Sequence, residues 1–261
     1  MNNILKYIFI ASAAVFIACG LTKDRLPNPD GIVEELLLEP YQEEVEIEEF
    51  TTERNGIVYT VNPLYEYDIY GLVVSYSDAR GFLNISHKRW GDYLNIKDLC
   101  LIWGQNLRTP HYKKFKFSSR DWMCLYRTRD NEAYFVFRSD KFSNNHLLVD
   151  DEALKKLVRK TRRGDQIHIS GYLSKYSHDG GFSRGTSTTR LDNGNGACET
   201  IYVTGFDILK RSRPALDIMF AVSGIAAASS ALAIIAIFFV YTGAARKGAG
   251  APDVTARRKE S

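Results

Sequence analysis

The sequence predicts a mainly β domain with one helix, set between two apolar segments, the second of which is long enough to span a bilayer. Three observations lead there. Asp68-Ile69-Tyr70-Gly71-Leu72-Val73-Val74-Ser75-Tyr76 is rich in β-branched and aromatic residues, the composition of a strand. Asp165-Gln166-Ile167-His168-Ile169-Ser170-Gly171-Tyr172-Leu173 alternates polar and apolar residues, as a half-buried strand does. Ile218 to Ala245 runs for 28 residues without a charge, and a spanning helix needs only about 20.

The N-terminal segment reads as an export signal. One lysine, Lys6, precedes the largely apolar run Tyr7 to Ala18, the length of a signal-peptide core. Ala18-Cys19-Gly20 offers a small-x-small cleavage pattern, and Phe16-Ile17-Ala18-Cys19 resembles a bacterial lipoprotein box with Phe in place of Leu. That makes Cys19 a candidate for lipidation. Left uncut, Ile4 to Leu21 is a short anchor, so residues 1–22 are a signal peptide or a signal anchor.

Charge divides the rest of the chain. Residues 23–53 hold two basic and eleven acidic residues, whereas residues 54–213 hold 26 basic and 17 acidic. The first stretch, with Pro27, Pro29 and Pro40, reads as an acidic linker or an arm lying on the basic domain. Residues 214–245 form the transmembrane helix and 246–261 a basic tail. Arg246, Lys247, Arg257, Arg258 and Lys259 place that tail in the cytoplasm and the domain outside, in the periplasm or at the cell exterior.

Cys100, Cys124 and Cys198 lie in the domain. Cys100 and Cys124 sit in short apolar runs separated by a basic loop, and neighbouring strands would bring them within disulfide reach. Cys198 is then buried and free; three buried thiols are the alternative. No cysteine has a second Cys or His at ligand spacing, so neither a metal nor a cofactor is expected.

Leu99 to Trp103, Trp122 to Tyr126 and Ala133 to Phe137 are further strand candidates. Asp150 or Asp151 N-caps a helix from Glu152 to about Arg162, with Gly164 as its left-handed stop. Glu199 to Leu209 is the last strand. A long first strand ending in Gly-Leu-Val-Val-Ser, a helix before Gly-Asp-x-Ile-x-Ile-x-Gly-x-Leu, and a closing strand together resemble the OB-fold over Tyr67 to Leu209. That resemblance implies a five-stranded Greek-key barrel binding oligonucleotides, oligosaccharides or proteins on one face.

In such a barrel the loop joining the last two strands borders the binding face. Here it runs from Ser177 to Cys198 and brings His178, Arg184, Arg190, Asp192 and Glu199 into one span. Arginine forks suit carboxylates and phosphates, and the alternative is an ordered loop stapled by Arg–Asp pairs. A nuclease-like, metal-dependent hydrolase would need Arg184, Arg190, Asp192 and Glu199 as clamp and base, yet no paired Asp stands near them at metal-ligand spacing. Lys113-Lys114-Phe115-Lys116-Phe117 with Arg120, and Lys155 to Arg163, form two basic clusters. Outside the cytoplasm their expected targets are lipid headgroups, anionic glycans or the acidic arm rather than nucleic acid. His87, His111, His146, His168 and His178 are isolated in sequence, and no catalytic triad motif or phosphate loop is present.

Within the apolar C-terminal segment, Gly224 and Ala228 stand four residues apart, the small-residue spacing of close helix–helix contact. The expectation is a non-enzymatic, membrane-anchored binding or scaffold module for a protein or an anionic envelope component. A hydrolase on the same barrel, and an accessory subunit of a membrane complex, are the alternatives.

Overall fold

The computed structural model describes residues 3–79, 81, 85–120, 122–189 and 198–248. It divides into two compact units, one of residues 1–23 and 213–261, the other of residues 24–212.

The first unit consists of two apolar helices, α1 (Asn3–Thr22) and α5 (Pro214–Gly248). Apolar spans of 20 and 29 residues in them rise about 30 and about 43 Å, so each is long enough to cross a bilayer. They pack on each other. The rings of Phe16 and Phe220 stack at 4.2 Å, and a Cβ added to Gly224 would meet the Phe16 ring at 2.9 Å. The glycine of the predicted small-residue pair therefore faces α1, whereas Ala228 is exposed. Cys19 lies inside α1 and is buried.

The second unit is sheet-rich. Its strands are β1 (Tyr41–Glu44), β2 (Phe50–Arg54), β3 (Ile57–Asp78), β4 (Asn95–Ile102), β5 (Lys116–Arg120), β6 (Met123–Arg127), β7 (Phe142–Leu148), β8 (Gln166–His178), β9 (Phe182–Arg184) and β10 (Glu199–Lys210). Three helices join them: α2 (Ile85–Arg89), α3 (Asn131–Val136) and α4 (Glu152–Lys160). A mixed eight-stranded sheet has the order β1-β3-β4-β7-β10-β8-β9, with β2 on β3 and an additional β3–β8 pairing; β5 and β6 form a separate hairpin. All pairs are antiparallel except β7–β10.

The predicted helix is α4. Asp151 accepts from the amides of Ala153 and Leu154, the orphan donors of its first turn. Gly164 (φ 88°) then turns the chain into β8. The strand expected at Ala133 to Phe137 is instead mostly α3. Asp130 accepts from the Ala133 amide, and this cap outcompetes the β propensity of Tyr134, Phe135 and Val136. Only Ala133 of the helix is buried.

Strand β4 is buried along its whole length, and its two faces serve different cores. Leu99 and Leu101 join Ile69, Leu147, Ile167, Ile169, Ile201, Val203 and α4's Val158 in one cluster. Cys100 and Ile102 face another, shared with Tyr112, Phe115 and Phe117 beneath the β5–β6 hairpin. The Lys113 to Arg120 alternation is thus a packing pattern, its phenylalanines buried and its lysines outside.

The acidic stretch belongs to this second unit. Leu36 is fully buried, Gln166 bonds both the Val33 amide (2.7 Å) and the Gly31 carbonyl (2.7 Å), and Glu39 pairs with Lys141.

Candidate functional site

The β5–β6 hairpin covers a polar network on the outer faces of β4, β7 and β10. The register explains which residues meet. Across β4 and β7, Asp98 stands opposite His146 and Cys100 opposite Asn144. Across β7 and β10, Thr200 stands opposite His146. Period-two alternation puts Cys198, two residues before Thr200, on the same face beside Asn144. Two adjacent rows result: Asp98–His146–Thr200 and Cys100–Asn144–Cys198.

In the first row, His146 Nδ1 lies 2.6 Å from Asp98 Oδ1, both side chains buried. Asn95 Nδ2 donates to the same oxygen at 2.8 Å. Burial by itself would push the His146 pKa down; the Asp98 charge and hydrogen bond, with a contact to Cys198, outweigh it and raise the pKa to about 9. Burial likewise opposes ionisation of Asp98, but His146 and Asn95 hold its pKa below the ordinary carboxylate value. Beyond this pair, Arg184 Nη2 sits 3.1 Å from His146 Nε2. An arginine can only donate, so when His146 is neutral Nε2 accepts from Arg184 and Nδ1–H donates to Asp98. Below its raised pKa His146 carries a proton on Nε2 as well, and Cys198 is its partner there.

In the second row, Cys100 and Cys124 form a disulfide, their Cα atoms 5.7 Å apart. Asn144 bridges this row. Its Nδ2 donates to the Trp122 carbonyl (2.7 Å) and lies 3.3 Å from Cys198 Sγ, while its Oδ1 lies 3.1 Å from Cys124 Sγ. Cys198 itself is a partly exposed free thiol.

Trp122 is the roof. It adopts φ 57°, a backbone conformation costly for a bulky side chain and concentrated at functional positions. Its ring lies between Arg184, whose guanidinium carbon is 5.0 Å from the ring centroid, and His87, 4.9 Å between centroids. His87 continues the network: Nδ1 meets Asp92 Oδ2 at 2.8 Å, and Asp92 Oδ1 accepts from Tyr176 at 2.8 Å. Burial first, and Asp92 second, hold the Tyr176 pKa well above its ordinary value. Buried His87 Nε2, Trp122 Nε1, Asp98 Oδ2 and Asn95 Oδ1 have no hydrogen-bond partner among the described residues.

Of the residues singled out in sequence, Arg184 belongs to this network. Glu199 begins β10 and is buried. His178 donates to the Trp90 carbonyl (2.9 Å), accepts from the Gly180 amide (2.9 Å) and stacks on Phe182; these bonds hold the β8–β9 turn. Arg190 and Asp192 lie outside the described residues. Asp98 and Asn144 were not singled out in sequence and His146 was read there as isolated, because Asp98 lies 46 to 48 residues from the other two and these sit on a strand, β7, whose polar start Phe142-Ser143-Asn144-Asn145-His146 gives no strand signal. Among the described residues no three His, Cys, Asp or Glu side chains are grouped to hold a metal.

A second feature lies along β3. Glu44, Val45, Leu64, Tyr65, Lys175, Thr186 and Thr188 line an open groove of about 420 Å³, and Gln42 Nε2 donates to the Thr188 carbonyl at 3.0 Å. No family model matches the chain, and no curated protein or solved structure does so either.

Proposed function

We propose that the second unit is an OB-type binding module, displayed outside the cytoplasm and anchored by α5 with its C-terminus cytoplasmic. The observation that carries this reading is the circuit of strand pairings. β3 pairs with β4, β4 with β7, β7 with β10, β10 with β8, and β8 again with β3, over thirteen residue pairs. Five strands in that circuit, with α4 between β7 and β8 as an end plug through Val158 and Leu154, are what a five-stranded Greek-key barrel requires. The Cys100–Cys124 disulfide supports an oxidising compartment. The packing of Phe16 on Phe220 and Gly224 supports α1 as a retained signal anchor rather than a cleaved peptide.

The groove beside Thr186 and Thr188 is the binding face, and its ligand is a protein segment or an anionic envelope component. Backbone and hydroxyl groups there can orient a polar chain, and exposed Lys175 supplies a cation. A photo-crosslinking residue at Thr188, introduced in cells, tests this. A defined crosslinked species should appear from Thr188, vanish with Lys175→Glu, and be missing from a control at exposed Glu152. Identical labelling from both positions would count against the groove.

A further inference from the structure

Three of the four cysteines converge under the hairpin, and the third is a thiol beside a disulfide. Cys198 Sγ and Cys124 Sγ lie against the two ends of one amide group, Asn144 Nδ2 and Oδ1, at 3.3 and 3.1 Å. Cys198 also lies 3.7 Å from the Trp122 carbonyl. The ionisable groups on this side are His146 from β7, held by Asp98 from β4, and Arg184 from β9.

We propose that Cys198 is an exchange-active thiol whose electrophile is the chain's own Cys100–Cys124 disulfide. The thiol proton leaves to water, Cys198 being partly exposed, and the thiolate pairs with the His146 imidazolium, which Asp98 holds through Nδ1. The Cys198 thiolate then attacks Cys124 Sγ. A Cys198–Cys124 bond forms, the Cys124–Cys100 bond breaks, and the electron pair leaves on Cys100 as a thiolate. One disulfide and one thiol remain, so no external oxidant or reductant is consumed.

Each neighbour has a part in this step. Asn144 Nδ2–H stabilises negative sulfur on Cys198. The Ser119 hydroxyl, 3.0 Å from Cys100 Sγ, donates to Ser75 Oγ at 2.8 Å and would turn its proton to the leaving thiolate. Arg184 adds positive charge at Nε2 and, stacked on Trp122, closes the site from above. The consequence is structural. The Cys100 bond ties the β5–β6 hairpin to β4, whereas a Cys198 bond would tie it to the entry of β10, carrying Trp122 with it. The chain would thus hold two alternative covalent attachments for one hairpin.

Disulfide mapping on the full-length, detergent-extracted protein tests the proposal. The native chain is incubated with iodoacetamide without reductant, then digested and mapped by mass spectrometry. Exchange predicts a growing fraction in which Cys124 is linked to Cys198 and the label sits on Cys100. His146→Gln should slow the appearance of labelled Cys100 by roughly tenfold, because the Cys198 thiolate loses its cationic partner. In Cys100→Ser, supplied with oxidised glutathione, the Cys124–Cys198 bond should form. If that variant fails to fold, the native-chain result stands alone. Label confined to Cys198 in the native chain, with Cys100 never labelled, would overturn the proposal. So would a folded Cys100→Ser carrying glutathione on Cys124 and Cys198 without the cross-link.

Discussion

At the scale of single residues, stability follows from the buried Asp98–His146 pair. His146 has a folded pKa raised to about 9, so its contribution is complete below the unfolded value of about 6.5 and is lost as pH rises through 9. Asp98 has a depressed folded pKa, so its contribution is present above about 3.9 and is lost as pH falls through the folded value. The domain should therefore be most stable between these limits and lose on the order of 2 kcal/mol of the pair's contribution between pH 7 and 10. Thermal melts against pH check this, and Asp98→Asn should flatten the alkaline limb. Asn144→Leu keeps the branched shape but removes the amide that donates to the Trp122 carbonyl at 2.7 Å. It should cost about 2 kcal/mol in urea unfolding, and wild-type stability would contradict the bridging role.

At the scale of elements, caps and staples decide what periodicity leaves open. The α4 helix was legible because the Asp151 cap and Gly164 bracket it from either end. The α3 segment was not: Tyr-Phe-Val favours strand, and only the Asp130 cap, with Tyr134 and Phe135 exposed, selects helix. Asp151→Ala should cost about 1 kcal/mol. Reducing the Cys100–Cys124 bond, which closes a 24-residue separation, should lower stability by about 3 kcal/mol, read from denaturation with and without reductant. In the apolar unit, Gly224→Leu collides with Phe16. Cysteines placed at Phe16 and Gly224 should therefore cross-link efficiently in membranes, and absence of cross-linking would contradict the α1–α5 contact.

At the scale of the whole molecule, the sequence reveals most where physics is local. Two long apolar runs, the half-buried alternation of β8 and the closing strand β10 could be read directly from residue patterns. The first strand could be read only in its apolar half: β3 extends back to Ile57, where its earlier residues pair with β2 across the tight Asn55-Gly56 turn and with β8, a partner far away in sequence. The candidate site was hidden for the same reason. Arg184 stood out as an arginine in a glycine-rich loop, but Asp98, Asn144 and His146 meet it only through the β4–β7–β10 register. The disulfide was foreseeable because both cysteines occupy short apolar runs separated by a basic loop.

The central proposal is that this domain folds and is oxidised outside the cytoplasm, with both apolar helices kept in the membrane. Intact mass of the membrane-extracted protein, denatured and alkylated without reductant, tests that claim directly. A full-length chain carrying two labels, on Cys19 and on the one thiol left by a single domain disulfide, is the predicted result. A full-length chain with all four cysteines labelled would place the domain in a reducing compartment and contradict the claim.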